Sequence, residues 1–546
     1  MSNRVLEFGS FVPVLFSVLV CALIIRAWLC HPLRHIPAAH WSIPLFGDTW
    51  ILYQRWKGCN NAATYAAHVR KGPVVRLGRN ELSVNCVENG IRTIYGGGWE
   101  KHEWYPRQFT NYGIRNMFAT TGHAAHSQKK RTLANIYSKT SVAASPQITA
   151  TSKKLLYSRF LPLLQSISDS GEAVDVHIMN NAFTVDFMSA YLFGLKHGTN
   201  FTQQVEVRDT ILHAYHMIGG YEVYIAEVPW LLDLCNKIGV QLLPKAADEA
   251  GQMVEDWNAR MCNAAEAYIA KPALPRDAFI GDEPVVYQQF KSGIARLRAK
   301  DNSAGQEPDS PNSLPLANYD LLEVQSEMKD HLLAGHETSA VALTYLYYEM
   351  SRHPELQILL REELQQLESR IIWPLPPGTT RDSVTLPEPK PIDSLPLLQA
   401  ITMETLRLHA PIPGMEPRVS PHAPGGNTLG QYSNIPGGVR VSSMPYSLHR
   451  NEDVFPDPLS FKPHGWIPTQ QNEEELKKMH RWFWAFGSGG RMCIGSNFAI
   501  QEIKLLVAAV YSSWTTEIID DEGIQEIDAW TTRPSSNRLL LKFQHV

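Results

Sequence analysis

The sequence predicts a mainly α-helical α+β chain with small β regions, attached to one N-terminal membrane-spanning helix. Three observations lead there. Residues 125–370 are patterned as long helices with few strand signals. Short β-type runs are confined to residues 72–84 and 425–445. From Phe8 to Ile25 the chain runs 18 residues without a charge, rich in Val, Leu, Phe and Ile.

A helix needs roughly 20 apolar residues to cross a bilayer core, so the 8–25 run just spans it. A cleavable secretory signal would end at a small-residue cleavage site. Here the run ends in Arg26-Ala-Trp-Leu-Cys-His-Pro-Leu-Arg34, bulky and basic, so residues 1–30 are expected to be a retained anchor. Arg4 precedes the span while Arg26 and Arg34 follow it, a weak bias that places the C-terminal side in the cytosol. Pro32, Pro37 and Pro44 stiffen residues 31–48 into a linker. Residues 49–546 then form one large domain.

The 546 residues are 44% hydrophobic and 19% charged, enough for a substantial core, and the net charge of −4 gives no reason to expect a nucleic-acid partner. Seven cysteines, at 21, 30, 59, 86, 235, 262 and 493, form neither a disulfide framework nor a zinc knuckle. Six read as small buried hydrophobes. Residues 72–84 read as a hairpin around Gly78-Arg-Asn80, and Gly430-Gln-Tyr432 and Pro436-Gly-Gly438 as turns. Residues 300–318 carry Pro308, Pro311 and Pro315 and read as a surface loop. Residues 373–396 carry seven prolines and are expected to hold no helix.

The seventh cysteine stands apart. Phe486-Gly-Ser-Gly489-Gly-Arg491-Met-Cys493-Ile-Gly495 is a glycine-bent loop presenting one thiol, followed by a helix from about Asn497. A thiolate at a helix N-terminus is stabilised by the dipole and by free backbone N–H groups. Gly489 and Gly495 let backbone N–H groups approach the sulfur, and such hydrogen bonds tune a metal bound there. Phe486 would shield the sulfur side of a flat cofactor, and Arg491 would neutralise an acidic group on it.

These residues match the haem-ligating signature of the cytochrome P450 family, Phe-x-x-Gly-x-Arg-x-Cys-x-Gly, at every defined position. The resemblance implies the family's fold, haem b (iron protoporphyrin IX) as cofactor and Cys493 as the protein ligand of its iron. It extends along most of the chain. Ala334-Gly335-His336-Glu337-Thr338-Ser339, within a long helix over 321–352, resembles the oxygen-activating helix. Gly335 and Thr338, three apart, are expected to share a face, with Gly335 making room for dioxygen. For Thr338 alone the plain reading is a back-bond to the carbonyl four residues earlier. In this setting its hydroxyl is expected to hold water or donate to bound oxygen, and Glu337 to relay protons.

Glu404-Thr-Leu-Arg407 matches the family's Glu-x-x-Arg, which implies a buried ion pair behind the haem. The later Phe-x-Pro-Glu-Arg segment departs from the pattern. It reads Phe461-Lys-Pro463-His464-Gly465-Trp466, with glycine at the arginine position. His464 or Arg450 is expected to compensate. His126 and Lys130, four apart, together with Arg418, match the family's partners for the haem propionates. Lys129, Arg131 and Lys139 are expected to form a basic patch for an acidic electron donor.

The resemblance further implies electrons from an NADPH–cytochrome P450 reductase, O2 as oxidant, and an endoplasmic-reticulum anchor with the catalytic domain in the cytosol. A haem-thiolate isomerase or dehydratase is the first alternative, but such enzymes tend to lose the acid–threonine pair. A non-catalytic haem-binding protein, the second, would not need one. The pocket-lining segments, by resemblance 99–122, about 205–230, 330–339, 412–416 and 530–536, are aromatic and apolar. That suits a lipophilic terpenoid, polyketide or alkaloid intermediate, in the manner of fungal biosynthetic members.

Overall fold

A computed structural model describes residues 15, 16, 18, 30–271, 277–303 and 316–546. The expected span over residues 8–25 falls almost wholly outside these. Among the described residues no helix is long and apolar enough to cross a membrane. The chain divides into two units, one taking residues up to His102 with Gly414–Leu448, the other Glu103–Pro413 with His449–Val546.

In the smaller unit the run at 72–84 closes into the expected hairpin. Strands β1 (Val74–Arg76) and β2 (Glu81–Val84) pair antiparallel with Val75 opposite Ser83. All seven strand residues are buried. The sheet is completed by β3 (Glu100–Lys101), β5 (Arg418–Val419) and β8 (Arg440–Ser442), in the order β1-β2-β8-β5-β3. β8 lies parallel to β2. Strands β6 (Asn427–Leu429) and β7 (Tyr432–Ile435) form a separate hairpin across the expected turn at Gly430. Glu81, buried in the sheet, is ion-paired by Arg55 and, at 3.5 Å, by Arg440. Part of the proline-rich segment 31–48 is buried. Leu33, Ile36, Ala39 and Ile43 are buried, and the Ala39 N–H donates to the Arg76 carbonyl at 2.9 Å.

The larger unit is built around the helix Leu316–Arg352, 37 residues or roughly 55 Å long. Its partner, the helix Val176–Phe193, is apolar nearly all round and buries every residue except Ile178. Thr184 ties the two helices together by donating to the His336 carbonyl at 3.1 Å. Around them a continuous apolar core takes in the helix Ser496–Tyr511 and a second, three-stranded sheet. In that sheet β10 (Leu540–His545) lies between β4 (Val174–Asp175) and β9 (Trp514–Asp520).

Two loop expectations are corrected. The proline-rich stretch 373–396 contains one helical turn, Pro389–Asp393, and the helix Pro396–Leu408 begins at its last proline. Both open on proline, which the first turn tolerates because its N–H would have no intrahelical partner. Of the loop expected at 300–318, residues 304–315 lie outside the described residues, while 300–303 and 316–318 belong to flanking helices. The cysteines differ too. Cys21 lies outside the described residues; among the described ones only Cys262 is buried, whereas Cys30 and Cys59 are exposed and Cys86 and Cys235 half-buried. Cys59 occupies the N-cap position of the helix Asn60–Lys71 without a side-chain capping bond.

Candidate active site

The glycine-bent loop folds back on itself before the helix Ser496–Tyr511. The Cys493 N–H donates to the Phe486 carbonyl at 3.0 Å and the Met492 N–H to Gly489 at 3.1 Å. Gly489 takes φ +71°, where a side chain would be strained. The loop thus presents Cys493 exposed, three residues before the helix begins. Gly495 has an ordinary φ of −85°, and a Cβ there would meet open space, so neither backbone nor protein packing demands glycine at that position. Phe486 is half-buried and packs against the core.

Cations gather at this loop. Lys130, on the helix His123–Leu133, donates to the Gly490 and Met492 carbonyls, each at 2.9 Å. Burial lowers its pKa while the negative charge of Cys493 works against that. Arg491 donates to the Thr120 carbonyl at 2.7 Å and to that of Thr121. His126 is buried on the same helix as Lys130. Arg418 belongs to the other unit, where its guanidinium lies 4.8 Å over the Tyr95 ring.

On the long helix Gly335 and Thr338 are both half-buried. Ala334 is exposed, and the Thr338 hydroxyl donates to its carbonyl at 2.8 Å, the back-bond open to any helical threonine. A Cβ on Gly335 would lie 2.8 Å from the Met188 sulfur. The space left by its missing side chain is met by the flexible Met188 side chain of the neighbouring helix. Glu337 is bound through its carboxyl by the Tyr215 hydroxyl at 2.5 Å. Burial raises its pKa, partly offset by Tyr215 and by the charge of Arg533. Next in the chain, buried Ser339 stands beside Glu502 of the Cys493 helix, whose carboxyl burial holds well above the ordinary range. Glu502 is six residues from the start of that helix, about 9 Å of rise. The Thr338 turn and the Cys493 loop therefore flank one junction of two packed helices.

A family model described as Cytochrome P450 matches residues 44–541. The chain belongs to the cytochrome P450 family. Among its relatives, the cytochrome P450 monooxygenase avaI of Aspergillus versicolor is 28% identical, covering 80% of this chain and 94% of the relative. Conidiogenone synthase of Penicillium rubens is 25% identical over 92% and 91% of the two chains. Fusicoccadiene C-8 hydroxylase of Alternaria brassicicola is 25% identical over 84% and 80%.

The P450 is thus a member of a monooxygenase family whose cofactor is haem b and which generally uses a redox partner, O2 and a lipophilic substrate. Its residues fit haem: an exposed thiol on a loop bent by Gly489, cations beside it, and an exposed Ala334 on the facing long helix. When bound there, haem would supply the redox chemistry, and cysteine ligation would favour cleavage of an O–O bond. The patch expected for an electron donor is thinner than the sequence implied. Lys129 is ion-paired with Glu323 at 2.8 Å and only 17% exposed, while Lys139, paired with Asp393, is 75% exposed and Arg131 is exposed.

The Glu404–Arg407 pair is buried and bidentate, with both bonds at 2.8 Å. Arg407 also donates to the carbonyls of His449, Pro458 and Ser460. Neither His464 nor Arg450 fills the place of the arginine absent at Gly465. His464 is exposed, and Arg450 lies 3.7 Å from Glu526. Glu404 instead accepts from the Trp466 indole N–H at 2.7 Å and the Lys462 backbone N–H at 2.8 Å. Sequence reasoning missed Trp466, whose one signal was an aromatic N–H donor next to the vacant arginine position.

Proposed function

We propose that this cytochrome P450 uses O2 and electrons from an NADPH–cytochrome P450 reductase to hydroxylate or otherwise oxidise a lipophilic small molecule in fungal secondary metabolism. Cys493 is the sole protein ligand of the iron. His126 and Lys130 answer the propionates, Arg491 neutralises an acidic group on the haem, and Thr338 and Glu337 deliver protons. Residues 1–30 anchor the chain to the endoplasmic-reticulum membrane with the catalytic part in the cytosol.

The observation that carries the substrate class is an aromatic cluster in the larger unit. Trp104, Tyr105, Phe109, Phe118 and Trp530 gather with ring centroids 5.0–6.4 Å apart. It joins two segments that the sequence reading assigns to the pocket. Such a wall removes apolar surface from water without demanding hydrogen bonds, which suits a hydrocarbon-rich guest. The names of two relatives, conidiogenone synthase and fusicoccadiene C-8 hydroxylase, support the biosynthetic reading.

The test is to delete the gene in its host, identify the metabolite that accumulates, and supply it to purified enzyme with reductase and NADPH. Product carrying oxygen from O2 is expected. Turnover that proceeds without NADPH or O2 would assign the chain to the isomerase or dehydratase class instead.

A further inference from the structure

The acid of the acid–alcohol pair is held by a residue 122 positions away. Tyr215, on the helix Val205–Gly219, donates its hydroxyl to Glu337 Oε2 at 2.5 Å. That is the length of a charge-assisted O–H···O contact. The phenol ring is itself fixed, edge-on to His336 at 5.4 Å and tilted against His216 at 5.7 Å. The other ionisable groups facing this carboxyl are Glu222, on the helix Glu222–Ala226, and Arg533, near the C-terminus. Burial pushes His216 and His336 down to about 4, so both are neutral at physiological pH. Burial and the charge of Glu337 lift Glu222 to about 7.

We propose that Tyr215 is a positioning residue for Glu337: its hydroxyl fixes the carboxyl in the orientation from which a proton passes toward Thr338, so that the placement of the Val205–Gly219 helix governs proton delivery. The inference rests on the monooxygenase reading above. In each cycle Glu337 releases one proton on the Thr338 side and regains one from solvent. Tyr215 keeps its own proton, because burial and the facing Glu337 charge hold its pKa well above the ordinary value. The same hydrogen bond favours the ionised form of Glu337. Without it, the carboxyl would hold its proton to higher pH.

The experiment compares Tyr215→Phe, Glu337→Gln and the double variant in full-length, haem-loaded enzyme with its reductase. A normal ferrous carbon-monoxide band in the parent enzyme comes first; its absence there would count against the haem-thiolate reading and not against Tyr215. Turnover is then divided into oxygen reduced to water and oxygen released as peroxide across a pH series. Tyr215→Phe is expected to lower the water-to-peroxide ratio about tenfold, as loss of one hydrogen bond to a charged group implies, and to move its pH profile upward. In the Glu337→Gln background it should change nothing further. A second readout needs no turnover. In the resting enzyme, the infrared carboxyl stretch that disappears in Glu337→Gln should move to higher frequency in Tyr215→Phe. An unchanged ratio and profile, an unmoved band, or an equal loss with and without Glu337 would overturn the proposal. So would loss of the carbon-monoxide band in the phenylalanine variant, which would make Tyr215 a structural residue.

Discussion

Replacing Trp466 by phenylalanine isolates the hydrogen bond that stands in for the absent arginine. The ring stays among Phe455, His480 and Phe483, at centroid distances of 6.3, 5.5 and 5.5 Å, while the 2.7 Å bond to Glu404 is lost. Glu404 is 2% exposed, so no water replaces the donor. Hydrogen bonds to charged groups contribute about 1.5–3 kcal/mol, roughly a tenfold to hundredfold change in the folded ratio. Arg407→Ala is harsher at about 3–5 kcal/mol, because it leaves the buried carboxylate uncompensated, and little haem-loaded protein is expected. Two controls bracket the argument. His464→Ala should stay within about 0.5 kcal/mol, as an exposed substitution does. Gly465→Arg should also be near neutral. A Cβ there meets only Met479 Cε at 3.8 Å, and each oxygen of Glu404 already accepts two bonds. The assay is the urea midpoint for loss of the ferrous carbon-monoxide band. Haem loss makes the transition a poor two-state equilibrium, so midpoints are compared only within this series. An unchanged midpoint in Trp466→Phe, or a His464→Ala midpoint that falls as far, would refute the account.

Other substitutions probe separate links. Cys493→His should abolish the red-shifted carbon-monoxide band, and survival of that band would remove Cys493 as the ligand. Thr338→Ala should leave NADPH consumption running while more of it ends in peroxide; unchanged coupling would show that the hydroxyl serves only its bond to Ala334. His409 sits between Glu526 at 2.7 Å and Glu349 at 3.1 Å, stacked on Tyr345. Burial opposes its charge, but the two carboxyl partners outweigh burial and raise its pKa. Its contribution to stability should be complete below the ordinary histidine value of about 6.5 and fade as pH rises through the raised value. His409→Gln should flatten the melting profile as pH rises from about 6.5 through the raised value, and an unaltered profile would refute the pairing. Deleting residues 1–30 should release much of the protein from membranes with its haem site assembled; full retention in the membrane fraction would refute a single anchor.

The sequence disclosed those parts of the site whose geometry is local. The Cys493 loop, the long helix with its acid and threonine, and the Glu404–Arg407 spacing are all set within a few residues of chain. What it hid depends on which surfaces meet. Trp466 reaches Glu404 across 62 positions, and Tyr215 reaches Glu337 across 122, with no periodicity to announce either. The contact of Met188 with the space over Gly335 was hidden for the same reason. Spacing along one helix says which residues share a face, but not that Met188 of another helix fills the space above one of them. The turn at Pro389–Asp393 escaped because prolines were read as breakers without regard to their tolerance in a first turn.

The order of strands in the smaller unit has a consequence for synthesis. β2 is flanked by β1, its immediate neighbour in the chain, and by β8, which arrives roughly 360 residues later. At about 5–20 residues per second, a ribosome needs about 20–70 s to cover that interval. Throughout it the nascent hairpin carries a strand edge whose backbone groups are unpaired, the kind of edge that recruits stray strands. A chain arrested before Ser442 should therefore be a client of chaperones, while the same residues in the finished protein are sealed inside a five-stranded sheet.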